Sequence, residues 1–93
     1  MNILMTAKIG EKVPHNVLKF LLECVDQLPN NKDYLQVFDL DTDSEGILHV
    51  VHTQEEPEYR EEYSIPLNEV TLKGKIFIII EKVALTIMWS HEY

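Results

Sequence analysis

An α+β domain, with one helix packed on a mainly antiparallel sheet of five to six strands, is the fold class this sequence predicts. Three observations predict it. One stretch alone, about residues 14–28, carries apolar residues at helical spacing. Several short segments alternate apolar and polar residues and are separated by turn formers. A run of five apolar residues, Ile76 to Ile80, suits a strand covered on both faces or a central one. In chain order the elements read β-α-β-β-β-β-β, within a single domain spanning 1–93.

The first element is a strand over Asn2 to Ile9, where Ile3, Met5, Ala7 and Ile9 alternate with Leu4, Thr6 and Lys8. Gly10 to Val13 turns the chain into the helix, which tolerates Pro14 because amides in the first turn have no intrahelical partner. Pro29, Asn30 and Asn31 stop it. Val17, Leu18, Leu21, Cys24, Val25 and Leu28 share one face; Phe20 and Leu22 widen the apolar arc to roughly 200°, against the roughly 100° a surface helix needs. Those margins either fold under neighbouring loops or form a partner-binding edge.

Strands follow at Tyr34 to Leu40 and Gly46 to Gln54, joined as a hairpin through the turn formers Asp41 to Gly46. A fourth covers Tyr63, Ile65 and Leu67. Pro66 offers no amide to a ladder, so this strand belongs at a sheet edge or ends near Pro66. Lys75 to Glu81 is the candidate for the sheet's middle, and Leu85, Ile87 and Trp89 form the last strand. Most connections are too short for crossover helices, which makes the pairing largely antiparallel.

Ninety-three residues leave too little chain for a second independent core. Sixteen Asp and Glu against eight Lys and Arg give a net charge of -8, which disfavours direct nucleic-acid binding and suits a protein partner with a basic surface. The single Cys24 rules out an intramolecular disulfide and fits a reducing compartment. The opening residues lack the features of a signal peptide, and Ile76 to Ile80 is too short to cross a bilayer, so the expected location is the cytoplasm.

The chemistry-bearing residues are sparse. The loop from Asp41 resembles the front half of a calcium loop, but its twelfth position is His52 and its flanks read as strands, which favours an acidic hairpin turn. His49 and His52 lie an odd number of positions apart in a strand, so they point to opposite faces and cannot share a metal without a bulge. No metal site and no cofactor are expected. The densest cluster is His52, Gln54, Glu55, Glu56, Glu58, Tyr59, Glu61 and Glu62. A histidine among carboxylates can do acid–base work, but no nucleophile with a recognisable base and no nucleotide fingerprint accompany it.

Several strings across Met5 to Tyr93 have a familiar look: Met5-Thr6 leading to Val13-Pro14, Asp33-Tyr34-Leu35-Gln36-Val37-Phe38, His52-Thr53-Gln54-Glu55 with Pro57, Thr86-Ile87-Met88-Trp89, and Glu92-Tyr93. Together they resemble the small staphylococcal protein of unknown function family, found in Gram-positive bacteria and their mobile elements. The resemblance implies a bacterial or phage cytoplasmic protein with a shared fold, and carries no activity or active-site residues. Lys82-Val83-Ala84 departs from the family's more polar turn.

Two function classes fit. The preferred one is a non-catalytic interaction or regulatory module, associated with phage or mobile elements, whose surface is the His52 to Glu62 cluster or the helix margin. The alternative is a small enzyme or ligand-binding domain with a site near His52, Glu55 and Tyr59. A homo-oligomer formed through an exposed edge such as Asn2 to Ile9 is a third expectation.

Overall fold

The computed structural model describes residues 2–29, 32–67 and 70–93. Six strands, β1 (Asn2–Met5), β2 (Leu35–Thr42), β3 (Ile47–Gln54), β4 (Tyr59–Pro66), β5 (Lys73–Ile80) and β6 (Ala84–Trp89), form one sheet. Two helices, α1 (Ala7–Lys12) and α2 (His15–Asp26), lie between β1 and β2 in sequence, and a 3-10 turn at Ser90–Glu92 follows β6. The sheet order is β1-β6-β5-β2-β3-β4. Every pair is antiparallel except β1 with β6, which runs parallel in the register Asn2↔Ala84 to Met5↔Ile87.

The α+β class and the mostly antiparallel six-stranded sheet agree with the sequence, but a second helix corrects the expected order. The strand expected over Asn2 to Ile9 ends at Met5. Thr6 then adopts an extended conformation (φ -72°, ψ 159°) and its hydroxyl accepts from the Ile9 amide at 3.3 Å, an N-cap that starts α1. Ala7 and Ile9 continue the alternation only by coincidence. Once helical, Ile9 and Val13 lie four residues apart and both enter the core. The second helix begins at His15 behind Pro14; the stop assigned to Asn30 and Asn31 lies outside the described residues.

Both helices cover the same face of the sheet. Ile9, Val13, Val17, Leu18, Leu21, Cys24 and Val25 pack on Phe38, Leu40, Leu48, Val50, Ile76, Ile78, Leu85, Ile87 and Trp89. Each such side chain, fully buried, contributes about 1.5–3 kcal/mol. The helix margins fold inward: Phe20 and Leu22 pack against this cluster, and Phe20 meets Tyr63 of β4 edge to face at 5.1 Å. β5 lies in the interior of the sheet, between β6 and β2, and β4 with its Pro66 forms an edge.

Among the described residues, the opposite face carries no helix. By strand alternation it presents Leu35, Val37 and Asp39 of β2, Val51 and Thr53 of β3, Phe77 and Ile79 of β5, and Thr86 and Met88 of β6. All of these except Asp39 are partly buried among their neighbours, and Asp39 is exposed. The exposed Tyr93 lays its ring edge-on to Phe77 at 5.6 Å.

The two sheet edges differ. Edge β4 reads Tyr-Arg-Glu-Glu-Tyr-Ser-Ile-Pro, with charges and a proline that discourage further strand pairing. Edge β1 reads Asn-Ile-Leu-Met, and Ile3, Leu4 and Met5 are 53%, 53% and 47% exposed.

Candidate functional site

The residues of the His52 to Glu62 cluster separate into an inside and an outside. Along β3 the alternation that buries Leu48 and Val50 continues to positions 52 and 54, so His52 (0% exposed) and Gln54 (6%) point beneath the helices. His52 belongs to no surface, which corrects its place in the expected interaction face, whereas Gln54, though buried, contributes to the lining of a surface hollow. Glu55, Glu56, Glu58, Glu61 and Glu62 are exposed on the β3–β4 hairpin and edge, and Tyr59 is half-buried. Glu62 pairs with Arg60.

His52 and Gln54 are parts of a buried polar network that also contains Gln36. Gln36 Nε2 donates to the Asp33 carbonyl at 2.9 Å and to Gln54 Oε1 at 2.7 Å. The Gln36 Oε1 is therefore the acceptor facing His52 Nε2 at 2.7 Å, so Nε2 carries the proton and Nδ1 a lone pair. Among the described residues Nδ1 has no hydrogen-bond partner. Gln54 Oε1 also accepts from the Asp33 amide at 3.0 Å, and its Nε2 donates to the Pro57 carbonyl at 2.8 Å. The Glu56 amide donates to Asp33 Oδ2 at 3.1 Å. The network thus ties the start of β2 to the tip of the next hairpin.

The imidazole of His52 stacks on Phe38 (4.2 Å between centroids, 16° between planes) and meets Tyr59 edge-on at 5.2 Å. Desolvation by this packing lowers its pKa from the ordinary 6.5 to about 4, so the ring is neutral at physiological pH. Of the three residues that would make an enzyme site, the structure brings His52 and Tyr59 into contact, while Glu55 is exposed at the end of the strand.

The loop after Asp41 is a turn closed on itself. Asp43 Oδ1 accepts from the amides of Glu45 and Ile47 at 2.8 and 3.0 Å, and Oδ2 meets His49 Nε2 at 2.8 Å. The hydrogen bond from His49, then the backbone amides, hold this carboxyl below its ordinary value. His49 is exposed on the uncovered side and His52 is buried beneath the helices, on opposite faces as the spacing requires. Cys24 is buried, and desolvation pushes its thiol up to about 11, which makes it a core residue rather than a nucleophile. Among the described residues, no three His, Cys, Asp or Glu side chains gather as a metal site, and no helix is long and apolar enough to cross a membrane.

Where the uncovered face meets the acidic hairpin lies a hollow of about 220 Å³ whose lining includes Asp33, Tyr34, Leu35, Val37, Thr53 and Glu55. Its lining combines the carboxylate residues Asp33 and Glu55, the aliphatic Leu35 and Val37, and Tyr34, which is 58% exposed. Charge repulsion from Tyr93, then a hydrogen bond to it, raise the Tyr34 phenol above its ordinary value. Glu55, and Gln54 which also lines the hollow, belong to the cluster expected at the surface from the sequence. Asp33 and Tyr34 enter because β2 lies beside β3, a pairing that spacing along the chain does not reveal.

Comparison with protein-family models and with curated proteins yields no match. Among solved structures, the crystal structure of a protein of unknown function from Enterococcus faecalis is similar, with a TM-score of 0.80 at 19% identity, over 99% of this chain and 90% of that one. At this identity the likeness shows the fold alone.

Proposed function

We propose that this protein is a non-catalytic interaction module that binds a protein partner with a basic surface, anchoring one Lys or Arg side chain of that partner in the hollow between Asp33, Tyr34 and Glu55. The hollow carries the reading: two carboxylates, an aromatic ring and aliphatic side chains match an extended cationic side chain, with its apolar stem on Leu35 and Val37 and its charge beside the carboxylates. Around it lies the anatomy of an interface, an apolar face with exposed carboxylates from the hairpin and Asp39 at its margins. The excess of acidic residues adds steering toward a basic patch. The buried network behind it holds Asp33 and the hairpin tip in place before a partner arrives.

Membership of the staphylococcal family, a bacterial or mobile-element setting and a cytoplasmic location belong to the same proposal. A photo-crosslinking side chain at Thr53, inside the hollow, tests the binding mode in host-cell extract. The expected product is one protein joined through a Lys- or Arg-bearing segment and lost from a Tyr34→Ala/Glu55→Lys variant. Crosslinking that survives that variant, or maps to a segment without a cation, refutes the reading.

A further inference from the structure

We infer that the outer edge of β1 is a self-association surface, on which a second copy of this chain adds its own β1 antiparallel and joins two six-stranded sheets into one. The Asn2 and Thr6 amides donate to the Val83 and Ile87 carbonyls at 2.9 and 3.2 Å. Leu4, paired with Thr86 between them, faces β6 in the same way. The N–H and C=O groups of Ile3 and Met5 therefore point away from β6, and among the described residues nothing accepts from them or donates to them.

These outward groups are spaced to fit a copy of themselves. In an antiparallel pair, opposite residues alternate between those that exchange both backbone hydrogen bonds and those that exchange none. Setting Ile3 against Met5 of the second copy, and Met5 against its Ile3, satisfies every outward N–H and C=O of both residues and closes by a two-fold axis through the Leu4 pair. The two Leu4 side chains then meet on the uncovered face, which Leu4 shares with Thr86, at about 5 Å between Cβ atoms. Ile3 and Met5 meet across the strands on the helix side, the face of Leu85 and Ile87. All three residues, 53%, 53% and 47% exposed along β1, lose apolar surface together.

Charge favours a second copy over other occupants. β1 carries no charged side chain and none of the devices that blunt β4. The acidic residues Glu55 to Glu62 lie on the hairpin and strand at the far edge. Five inter-strand steps of about 4.8 Å put β4 about 24 Å from β1, well beyond the roughly 8–10 Å over which salt screens charge. The charged residues that follow β1 in α1, precede β6 or bond to Thr6 are balanced, Lys8, Lys12 and Lys82 against Glu11, Glu81 and Glu92. The net charge of -8 therefore neither opposes self-pairing here nor draws a basic partner to this edge. Four residues a side fall well short of the roughly 20–30 of a permanent interface, so the dimer is a transient one. The hollow lies along β2 and β3 and stays open in it, so the inference does not rest on the function proposed above.

Sedimentation equilibrium of the intact chain from about 10 µM to about 1 mM, a span suited to an interface below standard size, should show a monomer–dimer equilibrium. Amide exchange over the same series should slow far more at Ile3 and Met5 than at Leu4, whose amide already bonds to β6. Leu4→Lys and Leu4→Glu each set like charges opposite one another on the axis and should weaken dimerisation at least about tenfold, whereas their equimolar mixture should regain association as a heterodimer. A chain that stays monomeric throughout, a dimer whose Ile3 and Met5 amides exchange as in the monomer, Leu4 variants that dimerise like the wild type, or a mixture that associates no better than either variant alone would each overturn the inference. So would a Tyr34→Ala/Glu55→Lys variant that loses the dimer, which assigns self-association to the hollow instead. Leu4 is half-exposed, and circular dichroism of its variants separates lost pairing from lost folding.

Discussion

Acid should unfold this protein partly through one residue, His52. Its imidazole is fully buried between Phe38 and Tyr59 and its folded-state pKa is about 4, against 6.5 when exposed. The folded value is the lower one, so between these limits the unfolded chain binds more protons. The contribution of the neutral ring is complete above 6.5 and is lost as the pH falls toward 4. Each pH unit inside that window removes up to about 1.4 kcal/mol, so going from about pH 7.5 to about pH 5 should cost about 2 kcal/mol from His52 alone. Carboxyls held low in the fold, such as Asp43 and Glu92, also lose stability in acid. A His52→Gln variant separates the two sources: it keeps a polar group facing Gln36 and cannot titrate. Urea unfolding of both proteins across this range should show the wild type losing about 2 kcal/mol more than the variant. Parallel curves, agreeing within about 0.5 kcal/mol throughout, would refute the assignment of His52 as a buried neutral ring.

Two further outcomes follow from backbone and capping geometry. Gly46→Ala places a side chain at φ +82° with its Cβ 3.0 Å from the Leu67 carbonyl oxygen, and should lower stability by about 1–3 kcal/mol in a chemical denaturation curve. Thr6→Ala removes the cap of α1 and the hydroxyl that donates to Glu92 at 2.9 Å; a loss of about 1 kcal/mol is expected, with faster amide exchange at Ile9 than at Leu21 as the local signature.

The sequence is most legible where one element answers to one rule. The apolar run Ile76 to Ile80 marked an interior strand, Pro66 an edge, and the odd separation of His49 and His52 opposite faces; β5, β4 and β3 agree. The first helix was hidden because Ala7 and Ile9 keep the spacing of Ile3 and Met5, although Thr6 as a cap and the four-residue step from Ile9 to Val13 were visible signals. The buried network was half-legible: Leu48 and Val50 assign their face to positions 52 and 54, but nothing along the chain says that Gln36 would meet them. The hollow was illegible for a related reason. Asp33 and Glu55 become neighbours only through strand order.

The parallel pairing of β1 with β6 has a consequence for how the chain is made. β1 is translated first, yet its ladder partner is the last strand, and Thr6 and Glu92, joined by a hydrogen bond, lie 86 positions apart. On the ribosome, Ile3, Leu4 and Met5 must wait unpaired while β2 to β5 assemble, and the core beneath α1 stays open until Leu85, Ile87 and Trp89 emerge. Contacts at such separation are the slowest to close. A ribosome stalled just short of β6 would therefore hold a sheet lacking one side, with an apolar strand available to whatever chaperone or neighbouring chain reaches it first.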